Sequence, residues 1–175
     1  MRVSDAAYDD LLARRGSWSA ASCSVAAALE VVGTRSAMLL MREAFYGTRR
    51  FDDFAHRVGI SDAVAAARLR ELVEAGLLAK EPYREEGSRT RLEYRLTDKG
   101  RDLLPAVLAL MQWGDRWLSD PPGGPVDLTH RDCGAEIAVR IRCAAGHEVE
   151  ARELLLSPGP AASSPVREAA AASRR

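Results

Sequence analysis

Phe51-Asp-Asp-Phe-Ala-His-Arg-Val58, then Gly59-Ile60-Ser61, then Asp62-Ala-Val-Ala-Ala-Ala-Arg-Leu-Arg-Glu-Leu-Val-Glu-Ala75, closed by Gly76, is the stretch that decides the fold. It spells a short helix, a tight turn and a second helix. Ser61 stands where an N-cap is wanted, with a hydroxyl able to accept an orphan N–H of the next turn. Ala65, Leu69, Leu72 and Val73 recur at helical spacing and predict a core-facing stripe. Ala63, Ala66, Ala67, Arg70 and Glu74 fall on the opposite side. Gly76 can take the positive φ that ends a helix.

Downstream, Leu77–Tyr83 and Arg91–Leu96 flank a charged, glycine-containing turn at Arg84–Thr90. Leu92, Tyr94 and Leu96 alternate with Arg91, Glu93 and Arg95, which predicts a strand with one buried face. Thr97-Asp98-Lys99 then opens another helix, with Thr97 its N-cap. Helix, turn, helix and hairpin in this order predict a winged helix-turn-helix. The second helix would enter a DNA major groove, and the wing would reach the flanking backbone or minor groove. The helical face offers Ser61, Asp62, Ala63, Ala66, Ala67 and Arg70 to the bases. Arg49, Arg50, Arg84, Arg89 and Arg91 are the phosphate candidates.

Upstream, Val25, Ala28, Leu29 and Val32 share a stripe that predicts a first core helix stopped by Gly33. Thr34 caps a second helix, Arg35–Tyr46, ended by Gly47. Its Met38 and Met41 suit core filling. A long helix over Asp98–Leu118 carries Leu103, Leu104, Val107, Leu108, Met111 and Leu118 in one band, widened by Leu110, Trp113 and Trp117. Pro105 is expected to bend it near its second turn. So wide an apolar face calls for cover from beyond its own small domain. A second copy is the natural cover, with Val25, Leu29, Leu104, Leu108, Met111, Trp113 and Trp117 at the interface. A single chain folding the band onto its own N-terminal helices is the alternative.

The 175 residues are 47% hydrophobic, enough for one core plus extensions. Their charge sums to zero, although residues 49–101 hold 12 Lys and Arg against 10 Asp and Glu. Phosphate binding needs a local basic footprint rather than a basic protein. The lack of an apolar run of membrane length, and of a basic-then-apolar leader, predicts a soluble cytoplasmic chain with no membrane partner. Three cysteines do not suggest a disulfide-stapled secreted domain. Asp52-Asp53 and Glu85-Glu86 read as helix-start and wing-tip acids. No nucleophile triad, Walker loop or dinucleotide loop appears, so no enzyme is expected.

Asp120-Pro-Pro-Gly-Gly-Pro125 breaks the chain. The expected organisation is an extension with a weak helix over 1–21, a main domain over 22–118, a linker over 119–126, a β-hairpin over 127–156 and a disordered tail over 157–175. The fold class is mostly α with a small β component. In the hairpin, Glu136–Cys143 alternates and His147–Leu156 returns. There His130-x-x-Cys133 and Cys143-x-x-x-His147 admit two readings. They could form a tetrahedral zinc site, or the hairpin could simply hold buried cysteines and surface histidines.

Cys23-Ser24-Val25, Gly33-Thr34-Arg35, Gly47, Arg50-Phe51, Ile60-Ser61, Arg68-Leu69-Arg70-Glu71-Leu72, Gly76-Leu77, Glu93-Tyr94 and Leu96-Thr97-Asp98-Lys99-Gly100 resemble, in order and spacing, the HxlR-type winged-helix transcriptional regulators. The likeness covers about residues 22–118. It implies a homodimeric regulator of double-stranded DNA reading a near-palindromic operator. The dimer would be built from N- and C-terminal helices, and the signal would be a redox, electrophile or small-molecule one. It also implies a sensor role for Cys23, which stands just before the first core helix, where the helix dipole favours its reactive, ionised form. The chain departs from the pattern at Ser36, where relatives often carry tryptophan, and in its alanine-rich second helix. The latter leaves base readout to few side chains and keeps open a winged helix that binds protein instead of DNA.

Overall fold

The computed structural model describes residues 23–84, 89–121 and 123–155. The expected N-terminal extension, the C-terminal tail and the Glu85-Glu86 wing tip lie outside them. The described residues divide into two units, 29–140 and 23–28 with 141–155.

The larger unit is helical with one two-stranded sheet. Helix α1 (Ser24–Val32) begins in the smaller unit and ends in the larger. Helix α2 (Arg35–Phe45) starts at Thr34, whose hydroxyl accepts the Ala37 N–H at 3.2 Å. It buries Ala37, Leu40, Met41 and Ala44. Helix α3 (Phe51–Val58) has Asp52 and Asp53 in its first turn, where the helix dipole favours acids. It stops at Gly59, whose φ of 69° is the left-handed conformation an L side chain resists. Helix α4 (Asp62–Glu74) follows, with Ser61 accepting the Val64 N–H, and it buries Ala65, Leu69 and Leu72.

Strands β1 (Leu78–Tyr83) and β2 (Arg91–Leu96) pair antiparallel, from Leu78 opposite Leu96 to Tyr83 opposite Arg91. The Leu-Thr-Asp-Lys-Gly stretch then locks the base of this ribbon to α4. The Thr97 hydroxyl donates to the Gly76 carbonyl at 2.6 Å, and Lys99 Nζ donates to the Ala75 carbonyl at 2.7 Å. The Ala75 carbonyl is one that the end of α4 leaves unpaired, and the Gly76 carbonyl follows it in the turn. The core is Leu40, Met41, Phe54, Leu69, Leu72 and Leu78, all buried, with Tyr94 edge-on to Phe54 at 5.9 Å. Burial raises the Tyr94 hydroxyl pKa above its ordinary value.

Four sequence expectations need correction. The long helix over Asp98–Leu118 is two: α5 (Asp98–Arg101) and α6 (Leu104–Trp117), with Pro105 in the first turn of α6. Proline lacks the N–H that continuation through 105 would need, but at a helix start that N–H is an orphan anyway. Leu92 is exposed and Glu93 buried, the reverse of the simple alternation. The chain before α3 lies beside β2, with the Tyr94 N–H donating to the Arg49 carbonyl at 2.8 Å, while Leu92 lies further along the ribbon. Helix α1 buries only Val32, so Val25 and Leu29 are not core.

The fourth correction concerns the predicted hairpin of 127–156, which does not form paired strands. Within the larger unit a single bridge joins Thr129 and Glu136 around a turn at His130–Gly134. Within the smaller unit another joins Arg142 and Glu148, followed by a single helical turn at Ala151–Glu153. The first segment is held by Gln112 of α6. Its amide donates to the Ile137 carbonyl at 2.6 Å, and its oxygen accepts the Val139 N–H at 3.0 Å. One side chain thus serves as a strand edge would.

Candidate nucleic-acid interface

Helix α4 stands behind the turn Gly59-Ile60-Ser61, with its inner face fixed by Ala65, Leu69 and Leu72. Its outer face presents Ser61, Asp62, Ala63, Ala66 and Arg70, all exposed, and half-buried Ala67. Val64 is also exposed on this helix, an apolar residue that the stripe left unassigned. The face is therefore smooth and nearly uncharged. Arg70 lies 3.9 Å from Glu74 in an exposed i, i+4 pair, worth only a few tenths of a kcal/mol. Arg68 pairs with Glu71 on the same helix. Alanines allow close approach to a groove floor and can contact thymine methyls, but they carry no hydrogen-bond code.

The flanking arginines sit in distinct settings. The Arg50 guanidinium lies 5.3 Å from the centre of the Tyr83 ring, joining the start of α3 to the end of β1. Arg49 is half-exposed, 4.0 Å from the Glu93 carboxylate. Arg84, Arg89 and Arg91 are exposed at the outer end of the ribbon. Arg95 is committed inside the fold. It reaches Glu93 at 2.6 Å and Glu81 at 2.9 Å, and these two carboxylates face each other across the strands. Like charges directly opposite would repel, and Arg95, bonded to both, offsets that repulsion in part.

Glu93 is the residue that sequence reasoning missed. Its position in the alternation assigned it to solvent, and no local signal indicates that the 48–50 segment covers it. Once buried, it holds Arg95 by a charged hydrogen bond and lies beside Arg49.

Cys23 is exposed at the start of α1, its carbonyl accepting the Ala27 N–H at 3.0 Å. Of the proposed dimer residues, Val25, Leu29, Trp113 and Trp117 are 66%, 57%, 55% and 63% exposed. Leu104 is at the edge of exposure, and Leu108 and Met111 are half-buried.

The four zinc candidates are divided between the two units. Among the described residues no group of three or more His, Cys, Asp or Glu side chains is placed to hold a metal ion. His130 Nδ1 lies 3.3 Å from Cys133 Sγ in the larger unit, whereas Cys143 and His147 belong to the smaller one. Each pair brackets its own tight turn, and the cysteines expected to be buried are exposed and free. Among the described residues no single helix is long and apolar enough to cross a membrane.

A helix-turn-helix with an exposed second helix, backed by an arginine-bearing two-stranded wing, defines a winged-helix transcription regulator. The chain belongs to the HxlR-like helix-turn-helix family, whose pattern matches residues 31–121. It is 46% identical over 138 residues to the HTH-type transcriptional regulator Rv3095 of Mycobacterium tuberculosis, spanning 78% of this chain and 86% of that one. Among solved structures it is similar to PA1607, a candidate transcription factor. The TM-score is 0.70 at 37% identity, covering 84% of this chain and 99% of that one. It is also similar to the redox regulator HypR in its oxidised form, with a TM-score of 0.50 at 30% identity, covering 56% of this chain and all of that one. The chain is thus a transcriptional regulator of the helix-turn-helix type, with a DNA-binding fold.

Proposed function

We propose that the chain works in the cytoplasm as a homodimer on a near-palindromic operator and acts as a repressor released by a redox, electrophile or small-molecule signal. The observation that carries the reading is the pairing of an exposed, sterically smooth α4 with arginines at the start of α3 and at the outer end of the wing. Ser61, Asp62, Ala63, Ala66, Ala67 and Arg70 form the base-facing side. Arg49, Arg50, Arg84, Arg89 and Arg91 supply phosphate contacts, which set affinity and register while base edges and groove shape set specificity.

Two copies are favoured because α6 leaves Trp113 and Trp117 more than half exposed. Large exposed aromatics on one helix are expensive to leave in water and are normal at an interface. Val25, Leu29, Leu104, Leu108 and Met111 complete the proposed contact. A two-fold dimer then accounts for an operator with matching half-sites.

Cys23 is the thiol we assign to signal reception. It is exposed at a helix start, and similarity to HypR, itself a redox regulator, supports the assignment. Diamide should label Cys23 faster than Cys133 and Cys143 and weaken DNA binding in step. Equal labelling of all three, or an oxidised protein with unchanged affinity, removes Cys23 from the mechanism.

The decisive experiment is an electrophoretic mobility shift on the DNA immediately upstream of the chain's own coding sequence, run across a range of salt. A salt-sensitive shift with a sharp protein dependence is expected. Absence of any shift, with the protein folded, would favour the protein-binding winged helix instead.

A further inference from the structure

A cleft of about 370 Å³ lies in the larger unit between α2, the end of α3, α6 and the Pro125-Val126 segment. That is within the range of sites for small organic ligands. Its apolar walls are Tyr46, Met111, Pro125 and Val126, with the Tyr46 hydroxyl against the Met111 sulfur at 3.5 Å. Its charged groups come from Arg42, Glu43, Arg57 and Asp115.

These four charges are not equally engaged. Glu43 is buried and saturated: one oxygen accepts from Arg42 Nη2 at 2.8 Å, the other from the Thr48 hydroxyl at 3.1 Å. Arg42 Nε is buried and has no hydrogen-bond partner. A buried donor without an acceptor is costly, and native proteins rarely leave one so. Among the described residues Arg57 and Asp115 enter no ion pair. The cleft therefore combines a partly exposed guanidinium, a second arginine at the rim, an apolar body and one carboxylate with acceptor capacity left.

We infer that this cleft binds a small aromatic carboxylic acid carrying a hydrogen-bond donor at its far end. The inference rests on the regulator reading, because it names a signal for that same protein. The ligand's carboxylate accepts from the part of the Arg42 guanidinium that is open to the cleft and draws in Arg57. Its ring packs on Met111, Pro125 and Val126, and its distal hydroxyl or amine donates to Asp115. Arg57 lies in the last turn of α3, and Gly59 carries that helix directly into the turn before α4. Occupancy pulls on the helix that positions α4, so the acid shifts operator affinity.

The test is isothermal titration of the full chain with 4-hydroxybenzoate, benzoate and 4-hydroxybenzamide, with a mobility shift run beside it. Saturable binding of 4-hydroxybenzoate is expected, with the uncharged amide weaker by about tenfold or more, the usual worth of a charge-assisted hydrogen bond. Benzoate should fall between them. Arg42→Lys keeps a cation for Glu43 but removes the planar, multi-donor guanidinium, and should weaken the acid about tenfold. Val126→Trp starts from a partly exposed rim position, fills the cleft and should abolish binding whatever becomes of Arg42→Lys. No saturable binding of either acid, or binding unchanged in Val126→Trp, overturns the cleft. A DNA shift without acid binding sinks the cleft and leaves the regulator standing. Acid binding without any DNA shift does the reverse.

Discussion

Gly100→Ala is the substitution whose outcome the packing fixes most sharply, because two physical effects predict opposite signs. Gly100 lies within the α5 turn, and there alanine normally gains about 0.5–1 kcal/mol over glycine. Helix propensity alone therefore predicts stabilisation. The surroundings predict the contrary. A Cβ on Gly100 would run into the Leu77 carbonyl oxygen. It would also stand 3.1 Å from the Leu77 carbonyl carbon and 3.2 Å from Leu96 Cδ2. The obstacle is backbone, and it cannot swing aside.

Leu77 is also where three elements meet. Its N–H caps α4 on the Leu72 carbonyl at 2.9 Å, and its carbonyl accepts the Thr97 N–H at 3.1 Å. Relief would require α5 to part from the junction of α4 and β1, straining the Thr97 and Lys99 locks as well. Overpacking costs about 1–3 kcal/mol, and a backbone obstacle that cannot move places this site at the upper end, so a net loss of about 2–2.5 kcal/mol remains after the propensity gain. For a domain of this size that lowers Tm by roughly 10–20 °C. Gly59→Ala is the internal control. Its φ is positive, but nothing lies within 4 Å of a Cβ, so only the conformational penalty of about 1 kcal/mol applies. Urea unfolding with both midpoint and slope measured gives the comparison. A Gly100→Ala protein as stable as the parent, or less perturbed than Gly59→Ala, would refute the steric account.

Three further outcomes are expected. Glu93→Gln takes away the charge that Arg95 grips at 2.6 Å, and should cost about 1–2 kcal/mol in urea unfolding. An unchanged midpoint would mean that the opposed Glu81 and Glu93 repel as strongly as Arg95 binds them. Arg89→Ala and Arg91→Ala should each flatten the slope of log affinity against log salt by about 0.9, with little change in preference between sequences. Slopes unchanged from the parent in both variants would take the wing out of the DNA contact. Trp117→Glu should convert a dimer into a 19.0 kDa monomer in sedimentation equilibrium and weaken operator binding at least about tenfold. A wild-type chain that sediments as a monomer would end the dimer proposal.

What the amino-acid order revealed, and what it hid, follows from the range of the forces involved. Helix limits were legible because they are set within one turn. Thr34, Ser61 and Thr97 all accept the backbone N–H their positions promised, and Gly59 and Gly76 both adopt positive φ. The stripe of Ala65, Leu69 and Leu72 was legible because helical periodicity is local. Glu93 and Leu92 were not. Alternation says which residues share a face of a ribbon, but only the tertiary path of residues 48–50 decides which part of that face is covered. The two bridges of the C-terminal segment were hidden for a similar reason. Ile137, Val139 and Ile141 alternate as a strand should, but the Ile137 carbonyl and the Val139 N–H go to the Gln112 side chain, and the Ile137 N–H to Leu128 and the Val149 N–H to Ile141 leave only isolated bridges.

The allocation of arginines explains how a chain of zero net charge can present a DNA-binding face. Arg68, Arg95 and Arg101 are each held by a carboxylate on the same or a neighbouring element. Those ion pairs engage three of the twelve cations of residues 49–101 with the protein's own carboxylates. Arg49, Arg89 and Arg91 remain toward solvent, at the start of α3 and along the wing. Few phosphate contacts imply a modest salt slope, since each released counterion contributes about 0.9 to it. With alanines on α4, hydrogen bonds to bases are few too, and a single winged helix would bind weakly. Both scarcities point toward doubling. A two-fold copy doubles the phosphate contacts and fixes two smooth helices at one spacing, so that discrimination comes from groove shape and half-site separation rather than from a dense side-chain code. On this argument the aromatic face of α6 and the alanine face of α4 are two halves of one design, and a variant that separates the copies should lose specificity together with affinity.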